Sequence, residues 1–248
     1  MNSGKTVCIV GPCLKMGGIE RASSNVANGL SRLGYKVIYL AVFRQEKFFK
    51  LDDEIVFDEP PIGRNQTRLS ILYTVKRIRE RVRYYKPDTV LVYNKFYAAL
   101  VAFALWSTEF QYYLSERSSP FFKWPLKIRI LNRIAFFLNP PAGLIAQTTV
   151  AANYQKKYYG RKVAVEVIPN SLESVEYAEC PLEARSILAV GRLNDYLKGF
   201  DRLIAAMKWV NPDWNLRIVG ADKSPNSLDK LIREQGLENR IQLEPKSA

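Results

Sequence analysis

The sequence predicts an α/β protein made of two Rossmann-like domains, each a doubly wound parallel sheet, with the second incomplete. Short β-branched apolar runs alternate along the chain with segments whose apolar residues recur at helical spacing. Strand–helix–strand units of this kind place their strands parallel in one sheet. The alternation is interrupted between Glu173 and Glu183, where the composition turns polar and acidic. The predicted domains are therefore residues 1–180 and residues 181–248, and the second is shorter than the roughly 100–200 residues of a usual domain.

The elements follow in order. Thr6 to Val10 is apolar and β-rich, and Gly11-Pro12 ends it. Ile19, Ala22, Ser23, Val26, Leu30 and Leu33 mark one face of a helix that Gly34 stops. Lys36 to Phe43 is the next strand, and a short one follows near Ile55 to Phe57. Residues 67–86 form a long helix with Leu69, Leu72, Val75, Ile78, Val82 and Tyr85 inward. Its basic side carries Arg68, Lys76, Arg77, Arg79, Arg81 and Arg83. Lys86-Pro87-Asp88 breaks that helix and leads into the strand Thr89 to Tyr93. A buried helix, Phe96 to Trp106, precedes the strand Gln111 to Ser115. Phe121 to Leu138 reads as a packed helix with solvated cations, since Lys127 falls within the stripe Leu126, Ile130, Leu131, Ile134. Leu144 to Gln147, Val150 to Tyr159 and Ala164 to Ile168 complete the first domain as strand, helix and strand. The second holds strands at Ile187–Val190, Asn215–Val219 and Ile241–Leu243, with helices after Lys198 and over Ser227–Gln235.

Composition removes several function classes. The chain has no histidine, which excludes histidine triads, histidine–metal sites and a histidine base. The apolar run Phe96 to Trp106 falls far short of the roughly 20 residues of a membrane-spanning helix. The N-terminus enters a strand without the apolar core of a secretory signal, and Cys8, Cys13 and Cys180 are odd in number. Both features predict a cytoplasmic protein with reduced thiols. The net charge of +13 is unevenly placed. Residues 181–248 hold 11 basic and 9 acidic side chains, which leaves 26 against 15 in the first 180. That excess suits an anionic membrane surface, a phosphorylated substrate or nucleic acid, but no stacking platform or recognition motif supports the last, and no nucleic-acid partner is expected.

Two stretches point to phosphate. Gly11-x5-Gly17-Gly18 follows the first strand and opens a helix, where backbone N–H groups can approach an anion closely. It is neither G-x-G-x-x-G nor a P-loop, and a plain strand-to-helix turn fits it as well. In the second domain, Val190-Gly191-Arg192 ends a strand and Lys198 stands in the first turn of the next helix. A cation at the positive end of a helix is unfavourable unless an anion is near, although solvated surface charge is the plainer alternative. The carboxyl ends of strands in open α/β sheets are where ligands bind.

The string Val190-Gly191-Arg192-Leu193, then Lys198-Gly199-Phe200-Asp201-Arg202-Leu203, resembles the GT-B glycosyltransferases of family GT4. Gly17-Gly18-Ile19-Glu20-Arg21, Lys86-Pro87-Asp88 and Val167-Ile168-Pro169-Asn170-Ser171 are similar to further segments of that family, in the same order. The resemblance implies retaining transfer of a sugar from a nucleotide-diphosphate sugar to a glycan or lipid-diphosphate acceptor in cell-surface polysaccharide assembly, with no metal and no cofactor. Arg192 and Lys198 would hold the donor diphosphate, with Gly17 and Gly18 closing over it. Ser115-Glu116-Arg117-Ser118 is similar to an acceptor-side segment of related enzymes. Glu116 would orient or deprotonate the acceptor hydroxyl, with Arg117 and Ser118 beside it; a surface ion pair or helix cap is the alternative for Glu116.

The family's acidic Glu-x7-Glu motif has no counterpart here. The chain is therefore expected to be inactive alone, either as a fragment or as a chain completed by a second one. A non-catalytic partner subunit on the same scaffold is the competing reading. Peripheral contact with the inner face of the membrane would account for the basic first domain.

Overall fold

The computed structural model describes residues 4–62, 70–119, 122, 124–159, 163–171, 185–193, 198–220 and 226–245. The chain forms two compact units, Met1–Glu173 and Ser174–Ala248. The expected boundary stretch after Glu173, Cys180, residues 194–197, Phe121, Lys123, Arg68 and Leu69 lie outside the described residues.

The first unit is a seven-stranded sheet. Its strands are β1 (Thr6–Gly11), β2 (Lys36–Ala41), β3 (Val56–Asp58), β4 (Thr89–Tyr93), β5 (Tyr112–Ser115), β6 (Gly143–Ala146) and β7 (Ala164–Val167). They lie in the order β3-β2-β1-β4-β5-β6-β7 with every pairing parallel. The chain thus builds outward from β1 in one direction and restarts at β4 in the other. The carboxyl ends of β1 and β4 flank the resulting crevice.

The helices of this unit are α1 (Gly18–Arg32), α2 (Ser70–Tyr85), α3 (Lys95–Leu105), α4 (Leu126–Leu138) and α5 (Thr149–Tyr159). Alternation along the central strands sends side chains to two cores. Cys8, Val10, Ile38, Leu40, Val90 and Val92 pack on one face with residues of α2 and α3, and Ile9, Val37, Tyr39 and Leu91 pack on the other with residues of α1. Both faces are covered, so the strands read as continuous apolar runs. The Lys86-Pro87-Asp88 turn also ties together the two central strands at their amino ends. The Asp88 carboxylate accepts the Thr6 N–H at 2.7 Å, tying the start of β4 to the start of β1.

Three expectations change. Leu72, assigned to the buried side of α2, is exposed. Arg77, assigned to the basic side, is buried. It pairs with the Asp58 carboxylate and donates to the Ala41 carbonyl at 2.8 Å. Arg81 binds the same carboxylate, and Tyr85 donates to it at 2.9 Å. The end of β3 supplies a buried anion that draws these cations inward. On α4, Leu126, Ile130, Ile134 and Phe137 face solvent, and the residues packed inward are Asn132, Ala135 and Phe136. The packed stripe expected there is an exposed one.

The second unit holds three parallel strands, β8 (Ser186–Val190), β9 (Asn215–Gly220) and β10 (Ile241–Pro245), in the order β10-β9-β8. Helices α6 (Phe200–Ala206) and α7 (Asn226–Glu234) supply Ile204, Leu228 and Ile232, which pack with Leu216 and Ile218. The opposite face carries exposed Leu188 and Val190 and the Arg217–Glu244 ion pair.

Candidate functional site

In the first unit the described site residues gather at the carboxyl ends of β4, β5 and β6. Ser115, the last residue of β5, pairs with Tyr93 on one side and Ile145 on the other. Glu116 therefore leaves the sheet between two neighbouring strand ends. Its backbone is held by the Ile145 carbonyl and by the Gln147 amide, which donates to the Glu116 carbonyl at 2.9 Å. One carboxylate oxygen accepts the N–H of Lys95, the first residue of α3, at 3.2 Å, and the other accepts the Ser118 N–H at 2.8 Å. Glu116 is thus a cap of α3 as well as a wall of a cleft. Burial raises its pKa above the ordinary carboxylate range, with the Ser118 bonds opposing the shift.

Asn94, in a positive-φ conformation, caps the same helix by accepting from Phe96 N–H at 2.9 Å and donates to Ser118 Oγ at 3.0 Å. The cleft is small, about 40 Å³; Lys95, Glu116 and Ser118 line it with Trp124 from the β5–α4 connection and Gln155 and Tyr159 from α5. Lys95 is a basic residue in a helix first turn, the same signal that singles out Lys198 in the sequence. That signal could have found it; nothing in the local pattern singles out Gln155 or Trp124. Burial lowers the Lys95 pKa to about 8, with Glu116 opposing the shift. Arg117 does not line the cleft. Its guanidinium stacks over the Tyr93 ring, 5.1 Å from the centroid, and bonds Asn170 beyond β7.

Gly17 is the N-cap of α1, and the space a side chain would fill there is taken. A Cβ on Gly17 would lie 2.2 Å from Glu20 Oε2, whereas Gly18 has open space. The buried Glu20 carboxylate sits in the first turn, where the helix end favours an anion, and accepts from the Cys13 thiol at 3.8 Å. Cys8 is a fully buried thiol that burial pushes up to about 12, which makes it inert.

In the second unit, Arg192 lies just past β8 and Lys198 just before α6, and both side chains are exposed. Lys198 lays its stem along Gly191, so that a Cβ there would meet its Cγ and Cδ at 3.5 Å. Both cations therefore belong to one turn at the carboxyl end of β8. Gly199 between Lys198 and α6 has φ 68, a conformation that strains any other residue. Gly220, at the end of β9, lies so close to the turn that a Cβ would meet the Gly191 carbonyl at 2.0 Å.

Two parallel α/β units, each with polar or cationic side chains at its strand carboxyl ends, define a protein of the doubly wound α/β class, in which ligands bind at those ends. Residues 16–174 match Glycosyltransferase Family 4 and residues 178–247 match Glycosyl transferases group 1. The chain belongs to Glycosyltransferase Family 4, with a GT-B type fold. It is 30% identical over 241 residues to an uncharacterized glycosyltransferase of Haemophilus influenzae, a match covering 93% of this chain and 66% of that protein. The chain thus spans just under two thirds of that relative. Among solved structures it is similar to sucrose-phosphate synthase from Thermosynechococcus elongatus, with TM-score 0.76 and 14% identity over 98% of this chain and 71% of that one. It is also similar to Anabaena HepE in complex with UDP and glucose, with TM-score 0.67 and 17% identity over 98% and 70% of the two chains.

Proposed function

We propose that the chain carries the acceptor side and the diphosphate-holding turn of a retaining, metal-independent glycosyltransferase acting in cell-surface polysaccharide assembly. The donor is a nucleotide-diphosphate sugar and the acceptor a glycan or a lipid-linked diphosphate. The observation that carries this reading is at the carboxyl end of β8, where Arg192 follows Gly191 in the chain and the Lys198 stem lies along Gly191. As the bond from the sugar to the diphosphate breaks, negative charge grows on the leaving nucleoside diphosphate. Two cations at that point would stabilise this charge more than they stabilise the bound donor, which is how they would lower the barrier. The family likeness and the UDP in the complex of the similar Anabaena protein support the donor class. In the first unit, Gly17 and Gly18 at the start of α1 are the proposed backbone donors to a phosphate. Glu116 accepts the hydrogen bond of the attacking hydroxyl.

The Glu-x7-Glu contacts to donor ribose and sugar are missing from these 248 residues, so transfer by this chain alone is expected to be absent. The exposed Leu188 and Val190 favour a second reading, in which the chain is a binding subunit completed by a partner chain on that face. We place the protein on the cytoplasmic side of a membrane. No helix among the described residues is long and apolar enough to cross one. The exposed α4 stripe Leu126, Ile130, Ile134 and Phe137, with exposed Arg129 and Arg133 beside it, suits the surface of an anionic leaflet. Thermal shifts with a panel of nucleoside diphosphates test the donor assignment. One of them should stabilise the wild type and not Lys198→Ala; equal shifts in both proteins would overturn it.

A further inference from the structure

Asn94 has a backbone conformation that its residue type does not favour. It stands at φ 75, ψ 140, outside the left-handed helical region and close to the region that only glycine adopts freely. It is buried, and both ends of its side chain are engaged. Oδ1 accepts the Phe96 N–H at 2.9 Å at the start of α3, and Nδ2 donates to Ser118 Oγ at 3.0 Å in the loop after β5. These bonds converge on one carboxylate. With the Phe96 N–H taken by Asn94, the neighbouring Lys95 N–H goes to Glu116 Oε2 at 3.2 Å. The Ser118 N–H goes to Glu116 Oε1 at 2.8 Å, and the Ser118 hydroxyl bonds the Glu116 side chain as well. A hydroxyl oxygen that accepts one bond keeps its hydrogen for the next, and consecutive bonds polarise one another. Each end of one amide thus supports one side of the Glu116 carboxylate.

We propose that Asn94 is a positioning residue, whose two amide ends fix the orientation of the Glu116 carboxylate through the first turn of α3 on one side and through Ser118 on the other. Glycine would satisfy this backbone and supply neither bond, so the strain is held for the side chain. A plain helix cap needs only Oδ1, whereas the Nδ2 bond reaches a different loop, 24 positions along the chain. The catalytic meaning rests on the reading of Glu116 as the group that meets the acceptor hydroxyl; the positioning itself does not.

Carbon NMR of the side-chain carboxyl groups of the full chain tests the proposal, with Glu116→Gln to assign the signal and hydrogen exchange read at the Lys95 and Ser118 amides. Asn94→Gly, which fits the backbone, should speed exchange at both amides roughly tenfold, the worth of about one hydrogen bond. It should also move the Glu116 titration upward, because the ionised carboxylate loses donors. Ser118→Ala should move the titration the same way. The double variant should move it by less than the sum of the two, since both residues act in one chain of bonds. Asn94→Ser keeps an oxygen for the cap and loses the amide donor, so it should free Ser118 and leave Lys95 protected; it carries the test if the glycine variant does not fold. Lys95 of α3 and Tyr154 and Tyr159 of α5 also face the cleft, and Arg129 of α4 acts on Lys95; the substitutions leave all four in place. A Glu116 titration and a Ser118 exchange rate unchanged in the Asn94 variants, or additive shifts in the double variant, would overturn the proposal. Failure of every nucleoside diphosphate to stabilise the wild type would sink the transferase reading and leave the positioning standing.

Discussion

The two units are built on the same strand–helix repeat and differ in how far they cover themselves. In the first, the central strands send side chains into two cores, and Val10, Leu40, Val92 and Leu114 are fully buried. In the second, one face of the sheet packs on α6 and α7 while Leu188 and Val190 on the edge strand remain exposed. Their ion pairs differ likewise. Asp58 and Arg77 pair inside the protein, whereas Arg217 and Glu244 pair on the bare sheet face. A parallel sheet is stable when both faces are covered; among the described residues the first unit meets that condition and the second leaves one face exposed.

Substitutions can break this comparison. The largest effect is expected at Asp58. Asp58→Ala leaves Arg77 buried without its carboxylate and should cost about 3–5 kcal/mol in denaturant unfolding. Glu244→Gln should leave the melting temperature unchanged. Next come the apolar residues. Leu114→Ala should cost about 2–5 kcal/mol, and Leu188→Ala should stay within about 0.5 kcal/mol. Comparable losses at Leu114 and Leu188 would mean that the bare face is covered in solution. Smaller effects are expected at the glycines. Gly220→Ala drives a Cβ into the Gly191 carbonyl and should cost about 1–3 kcal/mol. Gly17→Ala meets only the end of the Glu20 side chain, which can swing away, and should cost less.

Lys95 gives a pH-dependent prediction. Its pKa is about 8 in the folded protein against an ordinary 10.5. Between these values the unfolded chain binds more protons than the folded one, so stability rises with pH across that window. Below pH 8 the folded state bears the full penalty of the buried charge. Lys95→Met should therefore gain most in thermal stability below pH 8, and the gain should shrink toward pH 10.5. A gain that is the same at both ends would contradict the burial argument.

Most of the fold is legible in the sequence because parallel strands and their helices write local periods. The β4 strand after Lys86-Pro87-Asp88 lies where the spacing places it. What a local pattern cannot carry is its partner. Arg77 reads as surface charge because the carboxylate that buries it lies 19 positions away in β3. The α4 stripe has a clear period, but a period does not say whether anything covers it. The cleft is invisible for the same reason: Lys95, Glu116, Trp124 and Gln155 meet only because β4, β5 and β6 are neighbours in the sheet. Arg192 and Lys198 can be found because both belong to one turn.

The central claim is that this turn holds the diphosphate of a nucleotide sugar. Phosphorus NMR of the nucleoside diphosphate that stabilises the protein tests it most directly. The account predicts that the wild-type chain broadens or shifts both phosphate resonances, and that the Arg192→Ala/Lys198→Ala double variant, still folded, leaves them as in free solution. Resonances perturbed equally by both proteins would contradict it.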